Sequence, residues 1–183
     1  MSRIDIPATI ADAPAGSQPF LEQMAASMGR APNLTRMVGN SSAAVEGMMS
    51  LMGALGKGEL NAATRERIAV AIANYNGCDY CNSAHTMVAK NVLKLDDAEV
   101  DANRQGRSTD AKADAALKFA LAVAKERGRV SEADVSTVKQ AGYSDAEVVE
   151  IIAHVALNIL TNYMGEALDI EVDFPLIEAD RAA

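Results

Sequence analysis

Helix-start signals punctuate this chain, and after each one apolar residues recur at helical spacing. Ser131 with Asp134, and Ser144 with Glu147, have the spacing of a capping box, in which a hydroxyl and a carboxylate satisfy the free amides at a helix start. Asn61 and Asp96 stand where a single side-chain oxygen does the same. The stripes that follow include Val45, Met48, Met49, Met52 and Leu55, and further on Ala113, Leu117, Ala120, Leu121 and Ala124. Strand-forming residues are scarce outside a few short apolar runs, with no Trp and only 4% aromatic residues. An all-α fold follows. At 183 residues the chain is long enough for one domain with a sizeable core.

The pattern predicts a helix from Pro19 to about Arg30 and another from about Leu34 to Leu55, ended by Gly56-Lys57-Gly58. A third runs from the Asn61 cap to about Tyr75, and a fourth from about Asp79 to Leu93. Asp96 caps a short helix that fades near Arg104-Gln105-Gly106. Ser108 or Thr109 then starts a long helix from Asp110 to Arg127. The two capping boxes open a short helix to about Gln140 and a long one from Asp145 to Leu168, before an extended tail around Val172-Asp173-Phe174-Pro175. Residues 1–17 lack periodicity and read as an arm laid over the body, with a single helical domain over residues 18–183.

The formal charge of −8 argues against nucleic acid and anionic membrane surfaces as partners, since both select basic patches. No basic start followed by an apolar core appears in the first twenty residues. The longest apolar window, Val148 to Leu160, is interrupted by Glu150, His154 and Asn158 and is short for a bilayer span. A cytoplasmic location is the expectation, and there a CxxC pair is more often catalytic or metal-binding than a structural staple.

Both cysteines and one of the two histidines fall within eight residues, Cys78-Asp79-Tyr80-Cys81-Asn82-Ser83-Ala84-His85, with Glu66 twelve residues upstream. On a helix, Cys78 and Cys81 are neighbours at i and i+3, and Cys81 and His85 at i and i+4. Asn76-Gly77 reads as a chain reversal that puts Cys78 at the start of a helix, where free N–H groups favour a thiolate. A disulfide between residues three apart closes a small loop, and strained bridges are readily reduced. The set therefore reads as a redox-active dithiol with its own proton acceptor. A helix-dipole argument alone selects Cys78 as the attacking thiolate, whereas His85 one turn beyond Cys81 selects Cys81.

Plainer readings exist for each part. Cys78, Cys81 and His85 could supply three zinc ligands, with His154, Glu66 or an acid from another chain as the fourth, but intracellular CxxC reads as zinc chiefly when a second pair exists. The thiols could be inert core residues. Glu66, inside Arg65-Glu66-Arg67, reads simply as a salt-bridged helix face, and His154 as a satisfied core or interface histidine. Met48, Met49 and Met52 read as core or subunit contact, and Asn158 and Asn162 as satisfying backbone or facing a neighbouring subunit.

Arg65-Glu66-Arg67, Asn76-Gly77-Cys78-Asp79-Tyr80-Cys81 and Ala84-His85 together resemble the alkylhydroperoxidase D family within the carboxymuconolactone decarboxylase superfamily. Asn162-Tyr163 and Asp173-Phe174-Pro175 also look like peroxidase-related members, so the resemblance spans roughly residues 30–175. It implies a helical domain that assembles as a homo-oligomer, a trimer or hexamer, and works without metal or cofactor. It implies a peroxidase for hydrogen peroxide or organic hydroperoxides, in which Cys81 attacks, Cys78 resolves, and His85 and Glu66 relay protons. The reductant it implies is a thiol donor, such as a lipoylated or thioredoxin-like protein. Some members carry a second histidine where this chain has Tyr80, which is a poor base near neutral pH and leaves the relay shorter. Two other readings attach to the same residues. One is a lyase or isomerase using His85 and Glu66 for proton transfer without the cysteines. The other is a redox-sensing oligomer whose disulfide forms but does not turn over. A small apolar pocket beside the cysteines, lined by residues such as Met87 or Val88, would suit alkyl substrates.

Overall fold

The computed structural model describes residues 2–180, and among them every regular element is helical. The elements are α1 (Gln18–Met28), α2 (Asn33–Val38), α3 (Ser42–Leu55), α4 (Ala62–Asn76), α5 (Asp79–Asn91), α6 (Asp97–Arg104), α7 (Ala111–Lys125), α8 (Glu132–Gln140) and α9 (Asp145–Leu168). The all-α expectation holds.

Helix α4 is the axis of the molecule. It packs against α5, α6, α7 and α9, and every residue from Ile68 to Asn74 is buried. A helix enclosed on all sides needs no polar face, which is why α4 carries no clean amphipathic stripe. One apolar core joins α4 to α7, α8 and α9 through Ile68, Ile72, Leu117, Val138 and Ile151. A second joins α1, α2 and α3 to α9 through Leu21, Val38, Val45, Met49 and Leu157. A smaller cluster holds Cys78 and Cys81 with Met37, Ala73, Tyr80 and Ile170.

Local chemistry sets most boundaries as the sequence predicts. Asn61 and Asp96 accept from the amides of Thr64 and Glu99, and both capping boxes are formed. Gly77 ends α4 in the left-handed conformation, at φ 74°, and turns the chain directly into α5.

Two expectations need correction. The helix predicted over Leu34 to Leu55 is two helices, because Ser41 leaves helical geometry and caps α3 by accepting from the Ala44 amide at 3.3 Å. Helix α7 is capped by Asp110, not by Ser108 or Thr109, whose hydroxyls serve Glu99 instead. Helix α9 as a whole is long and apolar enough to cross a membrane, beyond the shorter window read from sequence, but its residues Ile151, Val155, Leu157, Asn158 and Asn162 are buried against the rest of the protein. Residues 2–17 lie on the body: the Arg3 amide donates to the Leu168 carbonyl at 2.8 Å, and Arg36 Nη1 donates to the carbonyls of Pro7 and Ala8 at 2.7 and 2.8 Å.

Candidate active site

The tight α4–α5 turn fixes the geometry of the site. Cys78 is the N-cap of α5, and its Sγ accepts from the Cys81 amide at 3.2 Å, so the sulfur sits where a helix start favours negative charge. Both thiols are free and buried. Gly165 of α9 lies against them: a Cβ there would stand 3.1 Å from the Cys78 sulfur and 3.9 Å from that of Cys81. Any larger residue at 165 would push into the pair, so α9 approaches the dithiol closely only because this position is glycine.

His85 follows Cys81 by one turn of α5, and Glu66 reaches it from α4, with Nδ1 and Oε1 2.8 Å apart. Burial works against the imidazolium, but the Glu66 carboxylate, by its charge and by this hydrogen bond, outweighs burial and holds the His85 pKa above its ordinary value. His85 is thus a ready holder of a proton. The Cys81 thiol is pushed well above its ordinary value, first by its hydrogen bond with Cys78, then by burial and by the charge on Cys78. Cys81 therefore needs an acceptor for its proton before it can attack.

These groups converge on a cavity of about 430 Å³. Cys81, His85, Glu66 and Tyr80 form part of its wall, whereas Cys78 does not line it. The remaining wall is mainly apolar, from Met24, Met28, Met48, Met49, Met52 and Phe174, with Gln23, Ser27, Thr35 and Thr161 interspersed. Val88 lines the cavity as anticipated from sequence, and Met87 does not. The methionine group of α3 is therefore cavity wall as well as core, which the spacing alone did not reveal. The one available signal was three thioethers on one helix face, since flexible Met suits surfaces that accept varied apolar shapes.

Tyr80 is locked in place. Its hydroxyl accepts from the Leu34 amide at 3.1 Å and its ring meets Phe174 edge to face at 5.5 Å. Burial drives its pKa far upward, so it remains a neutral phenol. Its neighbour Asp173 is held by Arg30 and by the Asn33 amide at 3.1 Å, which pins the tail segment beside the cavity. His154 is buried on α9, but its Nε2 has no hydrogen-bond partner among the described residues, so the reading of a satisfied histidine does not hold; burial lowers its pKa. Asn158 donates to the His154 carbonyl at 2.8 Å, within its own helix. Among the described residues no cluster of three His, Cys, Asp or Glu side chains is placed to hold a metal ion.

The matching stretch of sequence covers all four of these reactive residues. Residues 42–126 match the model of the carboxymuconolactone decarboxylase family. None of the curated proteins matches the chain. Among solved structures, the fold is similar to an alkylhydroperoxidase AhpD core, an uncharacterised peroxidase-related protein from Ralstonia eutropha JMP134, at 25% identity and a TM-score of 0.84 over 94% of this chain and 92% of that one. An uncharacterised peroxidase-related protein from Silicibacter sp. TM1040 is similar at 23% identity and a TM-score of 0.80, over 93% and 91% of the two chains. The debrominase Bmp8 shares the fold at 22% identity and a TM-score of 0.76, over 91% and 90%. Within the carboxymuconolactone decarboxylase family match lie Glu66, the CxxC pair and His85. Asn162, Gly165 and Phe174, which complete the site from α9 and the tail, lie outside it.

Proposed function

We propose that the protein is a thiol peroxidase that reduces hydroperoxides at Cys81. The observation that carries this reading is the position of Cys81 on the wall of an apolar cavity, with the Glu66–His85 pair beside it on that wall and Cys78 directly behind. The Cys81 proton passes to His85, whose imidazolium is held by Glu66. The Cys81 sulfur attacks one peroxide oxygen, the O–O bond breaks, and the leaving alkoxide takes the proton back from His85. Thiol and hydroperoxide thus become sulfenic acid and alcohol. The Cys78 thiol then displaces water from the sulfenic acid, forming the Cys78–Cys81 disulfide. Two electrons and two protons from an external thiol donor, a lipoylated or thioredoxin-like protein, restore the dithiol.

The methionine-lined wall favours organic hydroperoxides over hydrogen peroxide. A cytoplasmic setting, whose thiol pool keeps such a pair reduced, fits the cycle. Assembly of several copies belongs to the same proposal: Val149, Ile152, Leu160 and Tyr163 form an exposed apolar stripe along α9. Light scattering on the purified protein tests it, and a monomer would end that part.

The test of the reaction is free-thiol count and intact mass after one equivalent of cumene hydroperoxide is added to the reduced protein. Loss of both thiols with loss of two hydrogens is expected, together with a sulfenic acid trapped in Cys78→Ser and absent in Cys81→Ser. Thiols that survive the peroxide would overturn the proposal. Activity on a lactone or keto acid retained by the double Cys→Ser variant would instead favour proton transfer by His85 and Glu66.

A further inference from the structure

Asn162 has no part in the reaction just described, yet it is fully buried one turn before Gly165, on the face of α9 that meets the cysteines. Its Oδ1 accepts from Asn76 Nδ2 at 2.8 Å. Asn76 is the last residue of α4, immediately before the Gly77 turn that leads into Cys78, so the amide is clamped by the same turn that places the thiols. With Oδ1 committed, Nδ2 is left buried without a hydrogen-bond partner among the described residues. A buried N–H lacking a partner destabilises the fold unless something receives it. One turn on, a Gly165 Cβ would stand 3.9 Å from the Cys81 sulfur, so this face of α9 meets that thiol, and the Asn162 side chain favours its charged form where Cys78 and burial oppose it.

We propose that Asn162 is a positioning residue for the nucleophile: its Nδ2 donates to the Cys81 sulfur and stabilises the thiolate, with Asn76 fixing which end of the amide faces that sulfur. A thiol accepts a hydrogen bond weakly and a thiolate strongly, so the donor acts mainly when Cys81 has lost its proton. Every other ionisable group near that sulfur is negative, a proton carrier or, in Tyr80, a phenol whose hydroxyl is engaged with the Leu34 amide and Asp173. Cys78 lies at the start of the same helix, Glu166 opposes ionisation from α9, and His85 with Glu66 shares the cavity wall. A neutral donor is the one kind of group there that favours the thiolate without taking its proton. The assignment builds on the thiol-based reading, but its test uses no peroxide, so the two can fail separately.

In a Cys78→Ser background, Cys81 is the sole thiol, and its alkylation by iodoacetamide can be followed from pH 5 to pH 10. Asn162→Ala should move the midpoint of that profile to higher pH and slow alkylation at pH 7 by about tenfold, the scale of one hydrogen bond to a charged group. The plateau rate at high pH, where the thiol is fully ionised, should not change. Asn162→Asp, with an anionic oxygen facing the sulfur, should shift the midpoint further, and Asn76→Ala should give a smaller shift in the same direction. An unchanged midpoint, or an equal slowing at every pH including the plateau, would overturn the assignment, since loss of access or packing does not move a titration. If Asn162→Ala does not fold, Asn76→Ala and Asn162→Ser decide the question by the same midpoint.

Discussion

Two neighbouring residues of α4 each make an ion pair with another helix, and the pairs differ in what they leave open. Arg67 Nε meets Glu99 Oε1 at 2.6 Å, and Glu99 also accepts from Asn103 at 3.0 Å, Ser108 at 2.6 Å, and the amide and hydroxyl of Thr109 at 2.8 and 2.6 Å. That carboxylate is 4% exposed and its oxygens are saturated. Glu66, one residue earlier, makes a single hydrogen bond among the described residues, to His85 Nδ1, and both members face the cavity. The other imidazole nitrogen is left for whatever enters. A saturated carboxylate ties α4, α6 and the loop before α7 together and can do nothing further. A carboxylate with one partner, on a cavity wall, can tune a group that moves a proton. Spare hydrogen-bonding capacity, more than charge or burial, separates the chemical pair from the architectural one.

The sharpest way to break that comparison is to neutralise each acid in turn. Glu66→Gln should cut hydroperoxide turnover by on the order of 10²–10³-fold, the usual scale for losing a positioned proton carrier, while the melting temperature moves by less than about 3 °C. Stopped-flow kinetics and calorimetry on the same sample check both halves. Glu99→Gln should do the reverse. It leaves Arg67 buried without its counter-charge and costs about 3 kcal/mol, or roughly 6–12 °C in melting temperature for a chain of this size. Turnover per folded molecule should stay at the parent value below the transition. A Glu99→Gln protein that is stable but inactive would show that the architectural label is wrong.

The sequence makes the reactive half of this contrast legible and hides the structural half. Cys78, Cys81 and His85 share one short helix, so i+3 and i+4 spacing brings them together without tertiary knowledge. Glu66 needs the α4–α5 turn as well, and Gly77 signals that turn. Nothing local marks Glu99, which in sequence is an ordinary first-turn acid after the Asp96 cap. Its partners at positions 67, 103, 108 and 109 meet only once α4, α6 and the loop before α7 pack. Ser108 and Thr109 read as helix starts because their hydroxyls fit that role equally well, and tertiary demand decides between the two uses. Asn162 and Gly165 are hidden for a related reason, since they lie about 80 residues from the cysteines they touch. The break at Ser41 was readable as a cap, but the apolar stripe running past it read as one longer helix.

Acid titration offers the next sharpening. The Glu99 pKa is held far below the ordinary carboxylate range: burial opposes ionisation, and the hydrogen bonds from Ser108, Thr109 and Asn103 overcome it. Its stabilising contribution is therefore present above the unfolded-state value of about 4.3 and is lost as pH falls through the lower folded value. Denaturant midpoints measured between pH 3 and pH 6 should fall with acid more steeply in the parent than in Glu99→Gln. Equal slopes would mean that this carboxylate is not the group whose protonation loosens the fold.

The smallest effect sits at the opposite end of the pH scale. His85 has a raised folded-state pKa, so its pair with Glu66 stabilises the protein fully below the unfolded-state histidine value of about 6.5 and loses that contribution as pH rises through the higher folded value. With side-chain exposures of 29% and 15%, the pair is partly screened, and the difference between parent and His85→Gln should be no more than about 1 kcal/mol at pH 6. It should shrink toward zero on the alkaline side. Urea denaturation of both proteins at pH 6 and pH 9 measures it. A difference that grows toward pH 9 would mean that the neutral imidazole is the form the fold prefers. Glu66 would then not be the group that holds the imidazolium formed when His85 takes the Cys81 proton.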